Sequence, residues 1–226
     1  LDASMPPWVQ EGGINDWIKR LKDPAIRKKV LLEMRTPTDK WENLLLNAGD
    51  PDRVLLLGFT NDSLKQYAGK TLGEVAKIHG KSPEETAMDL VIADSTRVET
   101  AYFLMNEENI KRQIALPYVS FGSDAGSPTA DGMFLKYKDH PRAYGNFSRL
   151  LAKYVRDEKV IPLDEAVRKL TSLPTTNLKI KKRGLLQPGY FADVTIFDPV
   201  KIQDHATFEN PHHYSTGMVH VFINGT

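Results

Sequence analysis

Residues 118–126 have the sequence Tyr118-Val119-Ser120-Phe121-Gly122-Ser123-Asp124-Ala125-Gly126, and this stretch decides the fold prediction. An apolar run that ends in glycine and serine predicts a buried strand, 118–122, followed by a turn. Asp124 would lie at the carboxyl end of that strand, where α/β sheets and (β/α)8 barrels bind their ligands. There an aspartate can ligate a metal, act as a general base, or do both. The alternative is a structural aspartate that caps a helix or closes an Asx turn.

The residues before this stretch alternate between strand-like and helix-like patterns. Short apolar runs predict strands at 54–57 and 99–105. Helical spacing of apolar residues predicts helices that include 83–93 and 107–116. Strands that alternate with helices are typical of βα units, so the sequence predicts an α/β body with a parallel sheet.

Four segments mark helix ends by their own chemistry. Asp23-Pro24 predicts a helix start, with Asp as the N-cap and Pro at the first helical position. Thr71 with Glu74, and Ser82 with Glu85, have the spacing of capping boxes. A short helix is predicted at 40–48, where Gly49 closes it.

The pattern changes after residue 146. Amphipathic spacing predicts helices at 147–156 and 163–170. Strand-like runs follow at 192–197 and 219–223. The sequence therefore predicts a small β element after the α/β body.

A second candidate for chemistry is the loop Asp139-His140-Pro141-Arg142-Ala143-Tyr144-Gly145. It combines an imidazole, a guanidinium and a phenol between proline and glycine. The planar fork of Arg142 can bind a carboxylate through two hydrogen bonds. The alternative is a solvated loop with a surface arginine.

Composition excludes several classes of protein. The 226 residues include 30 Lys and Arg against 29 Asp and Glu, so the net charge is +1, which argues against a nucleic-acid binder. No apolar run approaches the roughly 18 residues of a membrane span. The absence of cysteine excludes disulfides and cysteine-bound zinc within this chain, and is compatible with a cytoplasmic location. The other histidines, from His79 to His220, have no metal-ligand spacing and are interpreted as structural or surface residues.

Several longer strings, spread over nearly the whole chain, resemble the N-acyl-D-amino-acid deacylase (D-aminoacylase) family of the amidohydrolase superfamily. They are Leu1-Asp2-Ala3-Ser4-Met5-Pro6-Pro7-Trp8, Phe121-Gly122-Ser123-Asp124-Ala125, His140-Pro141-Arg142-Ala143-Tyr144-Gly145-Asn146-Phe147 and Ala206-Thr207-Phe208-Glu209-Asn210-Pro211-His212. The string Gly189-Tyr190-Phe191-Ala192-Asp193-Val194 is shared by many amidohydrolases and discriminates less.

The resemblance implies a metal-bearing (β/α)8 barrel and a small β-sandwich. Residues 1–180 would be the later portion of the barrel, with 118–122 as its last strand, and 181–226 part of the sandwich. Asp124 would be a zinc ligand that takes a proton from zinc-bound water and returns it to the leaving amine. Arg142 would bind the α-carboxylate of an N-acyl-D-amino acid.

The chain departs from the family in its metal ligands. The family's metal-binding histidines and cysteine precede the region that resembles this chain, which has no histidine before His79 and no cysteine. The chain also ends at Asn224-Gly225-Thr226, a hairpin signal without a return strand. We therefore expect a C-terminal portion that is inactive alone. It would need the missing N-terminal half, or association into a homo-oligomer, to cover its open strand edges.

Two other functions compete with a zinc-dependent deacylase. One is a catalytically inactive, amidohydrolase-like scaffold that has lost its metal-binding half. The other is a cyclic-amide hydrolase that resembles hydantoinase or dihydroorotase. The string His140 to Gly145 speaks against a cyclic-amide hydrolase, and the retention of Asp124 and Arg142 speaks against a scaffold.

Overall fold

The computed structural model of the protein describes residues 1–136 and 139–226. They form two compact units, one built on Leu1–Leu104 and the other on Met105–Leu135 and Asp139–Thr226. The boundary expected near residue 180 concerns the barrel and the sandwich of a complete protein and stays a prediction. No helix in the described ranges is long and apolar enough to cross a membrane.

The first unit is mainly helical, and three of its helices begin where local chemistry predicts, after Asp23, Thr71 and Ser82. Asp23 caps its helix, because Oδ1 accepts hydrogen bonds from the backbone N–H groups of Ala25 and Ile26 at 2.9 and 3.0 Å. The helix predicted at 40–48 begins only at Leu44, where Asn43 caps it. The helices are α1 (Pro7–Gln10), α2 (Ile14–Lys22), α3 (Pro24–Arg35), α4 (Leu44–Ala48), α5 (Leu72–His79) and α6 (Pro83–Asp94).

Both predicted capping boxes are confirmed. Thr71 Oγ1 accepts from the N–H of Glu74 at 3.1 Å, and Glu74 Oε2 accepts from the N–H of Thr71 at 2.8 Å. Ser82 and Glu85 exchange the same two bonds, each at 3.3 Å. Each pair satisfies two backbone groups that the first helical turn leaves without a partner.

The core of this unit lies under α5 and α6. Leu72 and Val75 from α5, and Met88 and Val91 from α6, are fully buried. They belong to one apolar cluster together with Val54. Since burying a side chain of this size contributes about 1.5–3 kcal/mol, this cluster is the main source of stability in the first unit.

The strands of the first unit pair in the direction opposite to the prediction. β1 (Val54–Leu56) and β2 (Thr100–Tyr102) are antiparallel, with Leu55 opposite Ala101. Backbone bonds from Leu57 N to Glu99 O and from Phe103 N to Arg53 O extend the same pairing beyond both ends. The expectation of a parallel sheet is therefore wrong for this pair. A strand–helix alternation fixes the order of elements along the chain but not the direction in which short strands pair.

The second unit has helices α7 (Glu107–Ala115), α8 (Arg142–Arg149), α9 (Leu163–Leu170) and α10 (Ser172–Asn177). The helix predicted at 147–156 differs from the observed one, since α8 begins at Arg142 and continues as a π-helical segment, Leu150–Asp157. Apolar spacing cannot separate the two helix types over so short a distance. The buried core of this unit consists of Ile114, Leu150, Leu151, Tyr154, Ile161, Ala166 and Ile202.

The predicted small β element is confirmed. β3 (Val194–Phe197) pairs antiparallel with β4 (Met218–Phe222), and the register shifts between Ile196 and Phe197. These two strands form a sheet separate from β1 and β2.

The strand predicted at 118–122 is absent, although the structure describes all of these residues. Pro117 lacks a backbone N–H, and Val119 N instead donates to Leu116 O in a turn. Side chains from α8 and α9 donate to the carbonyl oxygen of Gly122, at the end of this segment, and to those of Leu116 and Pro117 just before it. The placement of Asp124 at the end of a barrel strand is therefore wrong for this structure. An apolar run forms a strand only where a second strand offers matching backbone groups.

Candidate functional site

The two residues singled out by the sequence meet in the second unit. Asp124 Oδ2 lies 3.0 Å from Arg142 Nη2. The side chain of Asp124 is 91% exposed and that of Arg142 is 41% exposed. An ion pair this exposed contributes only about 0–1 kcal/mol, so another carboxylate or cation can replace either partner at low cost.

Asp124 lies in a segment without regular structure. Its backbone has φ of +48°, in the left-handed region that aspartate tolerates better than most residues. Asn146 Nδ2 donates to the carbonyl oxygen of Gly122 at 3.2 Å, two residues before Asp124. This position is thus held by a side chain from α8 and by the ion pair.

Arg142 is the first residue of α8, whereas the sequence predicted it in a loop. The N–H of Arg142 donates to Nδ1 of His140 at 3.1 Å, so an imidazole satisfies one donor of the first helical turn. Burial, with a smaller contribution from the positive charge of Arg142, lowers the pKa of His140. The His140 ring also lies edge-on to Phe208, with 4.9 Å between centroids. These contacts fix the position at which α8 begins, and with it the direction in which the Arg142 side chain projects from the helix.

A cleft of about 510 Å³ joins these groups. Its charged or titratable lining residues are Asp124, Asp139, His140 and Arg142. The remaining lining residues are small or apolar: Ala125, Gly126, Ser127, Pro128, Phe134 and Ala143. A carboxylate, a guanidinium and an apolar wall on one cleft can bind a small anionic molecule with an apolar part.

Aromatic residues support one wall of the cleft. Tyr144 on α8 packs edge-on against His212 and Tyr214, with centroid distances of 5.8 and 5.9 Å. Its hydroxyl donates to Thr129 O at 3.2 Å, and the hydroxyl of Tyr214 accepts from Ala130 N at 2.9 Å. The two tyrosines thereby tie the residues after Asp124 to the helix that carries Arg142. Sequence reasoning took His212 as a structural or surface residue and did not single out Tyr214, because residues so distant in sequence carry no shared local pattern.

The described residues do not by themselves fit a complete zinc site. Across 1–136 and 139–226, no group of three or more His, Cys, Asp or Glu side chains is arranged to hold a metal ion. A catalytic zinc needs about three protein ligands. Asp124 is the one predicted ligand, and its carboxylate is paired with Arg142. The chain can therefore supply at most part of such a site.

Comparison with protein families shows which family the chain resembles. A sequence model of the amidohydrolase family matches residues 7–226. The chain belongs to the amidohydrolase family. The resemblance of this amidohydrolase to N-acyl-D-amino-acid deacylases is confirmed by the relatives that follow.

The D-aminoacylase of Alcaligenes xylosoxydans xylosoxydans is 38% identical over 178 residues, which cover 77% of this chain and 34% of that enzyme. A crystal structure of N-acyl-D-glutamate deacylase from Bordetella bronchiseptica, complexed with zinc and a phosphonate that mimics the tetrahedral intermediate, superposes with a TM-score of 0.66. It is 31% identical and covers 80% of this chain and 35% of that one. A shorter match, 36% over 72 residues, is to a dihydroorotase of Lactobacillus acidophilus.

This amidohydrolase chain spans about a third of the length of the deacylases that it matches. The match is therefore to a portion of those proteins.

Proposed function

We propose that the complete protein hydrolyses the amide bond of N-acyl-D-amino acids. This chain supplies one catalytic residue, Asp124, and one substrate-binding residue, Arg142. The observation that carries the proposal is the Asp124–Arg142 pair on one cleft. The long match to D-aminoacylase supports the substrate class. In the complete protein the chain would form the later portion of a (β/α)8 barrel and part of a small β-sandwich.

Asp124 would serve as the proton carrier of this reaction. When water attacks the amide carbon, one of its protons moves to the Asp124 carboxylate. When the carbon–nitrogen bond breaks, the same proton passes to the leaving amine. The acyl product leaves as a carboxylic acid, which loses its remaining proton to water at neutral pH, and the other product is a free D-amino acid; Asp124 returns to its ionised form.

Arg142 would bind the α-carboxylate of the substrate. Its guanidinium already holds a carboxylate, that of Asp124, at 3.0 Å. Because this pair is exposed and weak, the substrate's carboxylate can take its place and free Asp124 for proton transfer. Because of this exchange, the ion pair in the structure is compatible both with proton transfer by Asp124 and with substrate binding by Arg142.

Zinc is proposed as the metal of the complete protein. Asp124 would be one ligand, and residues outside this chain would supply the others, because the described residues do not form the set. A zinc ion in such a site lowers the pKa of bound water toward neutrality. The 226-residue chain alone is accordingly proposed to bind no stoichiometric zinc and to have no deacylase activity, which metal analysis and an activity assay would test.

The alternatives have weaker support. The dihydroorotase match covers 32% of the chain, against 77% for D-aminoacylase, so a cyclic-amide hydrolase is less favoured. A catalytically inactive scaffold would have no physical need for an aspartate and an arginine on one cleft.

The test is Asp124→Asn in the complete protein. We expect the fold to be kept and kcat for an N-acyl-D-amino acid to fall by at least ~100-fold, the scale of a lost general base. Asp131→Asn is the matched control, since Asp131 is a nearby carboxylate that accepts from Thr129 Oγ1 and is not among the cleft residues. Turnover of Asp124→Asn close to that of the control would overturn the proposal.

A further inference from the structure

The segment that carries Asp124 is held by side chains that come from later helices. Arg168 Nη2 donates to Pro117 O, and Asn146 Nδ2 donates to Gly122 O. Lys169 Nζ donates to the carbonyl oxygens of Ile114 and Leu116. These bonds lie just before the stretch 118–122 and at its end, where the sequence predicted a strand.

Lys169 is the most buried of these donors, with no exposed surface. Its ammonium lies at the carboxyl end of α7, where backbone carbonyls have no helical partner and the helix dipole favours a cation. It also lies 5.6 Å from the centroid of the Phe121 ring, three residues before Asp124. One buried charge thus fixes both the end of α7 and the start of the segment that leads to the cleft.

A lysine at this place needs an explanation beyond packing. Burying an ammonium costs free energy, and burial lowers the pKa of Lys169. An apolar side chain of similar length would fill the same volume without that cost. What it could not do is hold two carbonyl groups in one geometry. The charge of Lys169 therefore has a role other than filling volume, which is to hold these two carbonyl groups.

Asn146 acts at the other end of the segment. It lies four residues after Arg142 on α8, so both side chains project from the same face of the helix. Arg142 binds the Asp124 carboxylate, and Asn146 binds the carbonyl of Gly122. One helix face therefore contacts the tripeptide Gly122–Asp124 at two points.

We propose that Lys169 and Asn146 are positioning residues for Asp124: they hold the carbonyl groups of Ile114, Leu116 and Gly122 so that the Asp124 carboxylate enters the cleft in one orientation. This inference rests on the proposed function of Asp124. Neither residue lines the cleft, and neither is needed for Arg142 to bind a substrate carboxylate. Loss of either should therefore act on the chemical step and leave substrate binding nearly unchanged.

The experiment is a double-mutant cycle between Lys169→Met and Asp124→Asn in the complete protein. Methionine keeps an unbranched stem and removes the ammonium. With rates normalised to the folded fraction, Lys169→Met should lower kcat roughly 10- to 100-fold, the cost of misplacing a reacting group by about 1 Å. KM should change little. In the Asp124→Asn background the same substitution should cause little further loss, since its effect passes through Asp124.

Lys201→Met is the matched control, because Lys201 is an exposed lysine that pairs with Asp198 away from the segment. It should leave kcat and KM unchanged. If Lys169→Met does not fold, Asn146→Ala takes its place in the cycle. Asn146 is half-buried and makes one bond to Gly122, so a smaller kcat loss is expected, again absent when Asp124 is Asn.

The outcomes separate the two proposals. A folded Lys169→Met variant with normal kcat, or a loss that multiplies with that of Asp124→Asn, would overturn the positioning role. For Asn146→Ala, a normal kcat or a loss that multiplies with that of Asp124→Asn would likewise overturn the positioning role. Normal turnover in Asp124→Asn alone would instead overturn the proposed function.

Discussion

Two regions of the molecule, residues 71–94 and residues 114–124, are built in different ways. In the first, α5 and α6 begin with capping boxes whose partners are three residues apart. In the second, the bonds to Ile114 and Gly122 come from residues 55 and 24 positions away. Local bonds specify the framework, and distant side chains specify the segment with the candidate site.

The difference also appears in burial. Leu72, Val75, Met88 and Val91 in the first region are fully buried, whereas Asp124 is almost fully exposed. A framework gains stability from burial, while a site must leave its reacting groups open to substrate. Substitutions in the first region should therefore change stability, and those around Asp124 should change activity.

After the Asp124 and Lys169 variants, the largest effect on activity is expected for Arg142→Lys, whose side chain contacts Asp124 in the second region. An ammonium cannot reproduce the two-pronged contact of a guanidinium with a carboxylate. We expect kcat/KM for N-acyl-D-amino acids to fall roughly 10-fold, the scale of a charge-assisted hydrogen bond, and to fall less for the corresponding α-amides. Steady-state kinetics of the complete protein on both substrates would measure this.

Arg149→Lys provides the control for that experiment. Arg149 lies on the same helix but pairs with Asp204. Arg149→Lys should leave kcat/KM unchanged for both the N-acyl-D-amino acid and its α-amide. An equal loss for the acid and the amide in Arg142→Lys would contradict a contact with the α-carboxylate.

A smaller effect is expected for Ser82→Ala, which removes the capping box of α6. Loss of such a cap should lower the free energy of unfolding by about 1 kcal/mol, measured by urea denaturation of the 226-residue chain. Thr171→Ala is the matched control in the second unit, since Thr171 occupies the N-cap of α10 without a capping bond from its side chain. That change should stay within about 0.5 kcal/mol. Equal losses would refute the view that the capping bonds of Ser82 are what stabilise α6.

The smallest effect is expected in the pH dependence of the free energy of unfolding, through His140 at the start of α8. Burial and the charge of Arg142 lower the pKa of His140, so the unfolded chain takes up a proton at higher pH than the folded chain does. Stability should therefore fall as the pH drops below about 6.5, the ordinary histidine value. Urea denaturation at about pH 7.5 and about pH 5.5 would measure this loss.

His140→Asn should reduce that pH dependence, because asparagine offers an acceptor to Arg142 N–H and does not titrate. His220→Asn on exposed β4 should leave it unchanged. Retention of the full pH dependence in His140→Asn would exclude His140 as its source.

Some of the site lay within reach of sequence reasoning. Asp124 and Arg142 were selected by residue type and by family resemblance, and the structure brings them together at 3.0 Å. Lys169 and Asn146 were missed. Lys169 lies within the predicted helix 163–170, three residues after buried Ala166, and that spacing was the one available signal that its stem faces inward.

By itself, the sequence determined the elements whose bonds close within a few residues. These are the helix starts at Asp23, Thr71 and Ser82. The strands after residue 190 were also predicted, from their alternating pattern, but their pairing, with Val194 opposite Phe222, is not local. The tertiary structure alone decided that β1 and β2 pair antiparallel, that 118–122 forms no strand, and that Arg142 begins a helix. The physical reason is the range of the interactions. A cap is complete within one helical turn, whereas a strand, a buried ammonium and an ion pair each depend on groups that only the folded chain brings together.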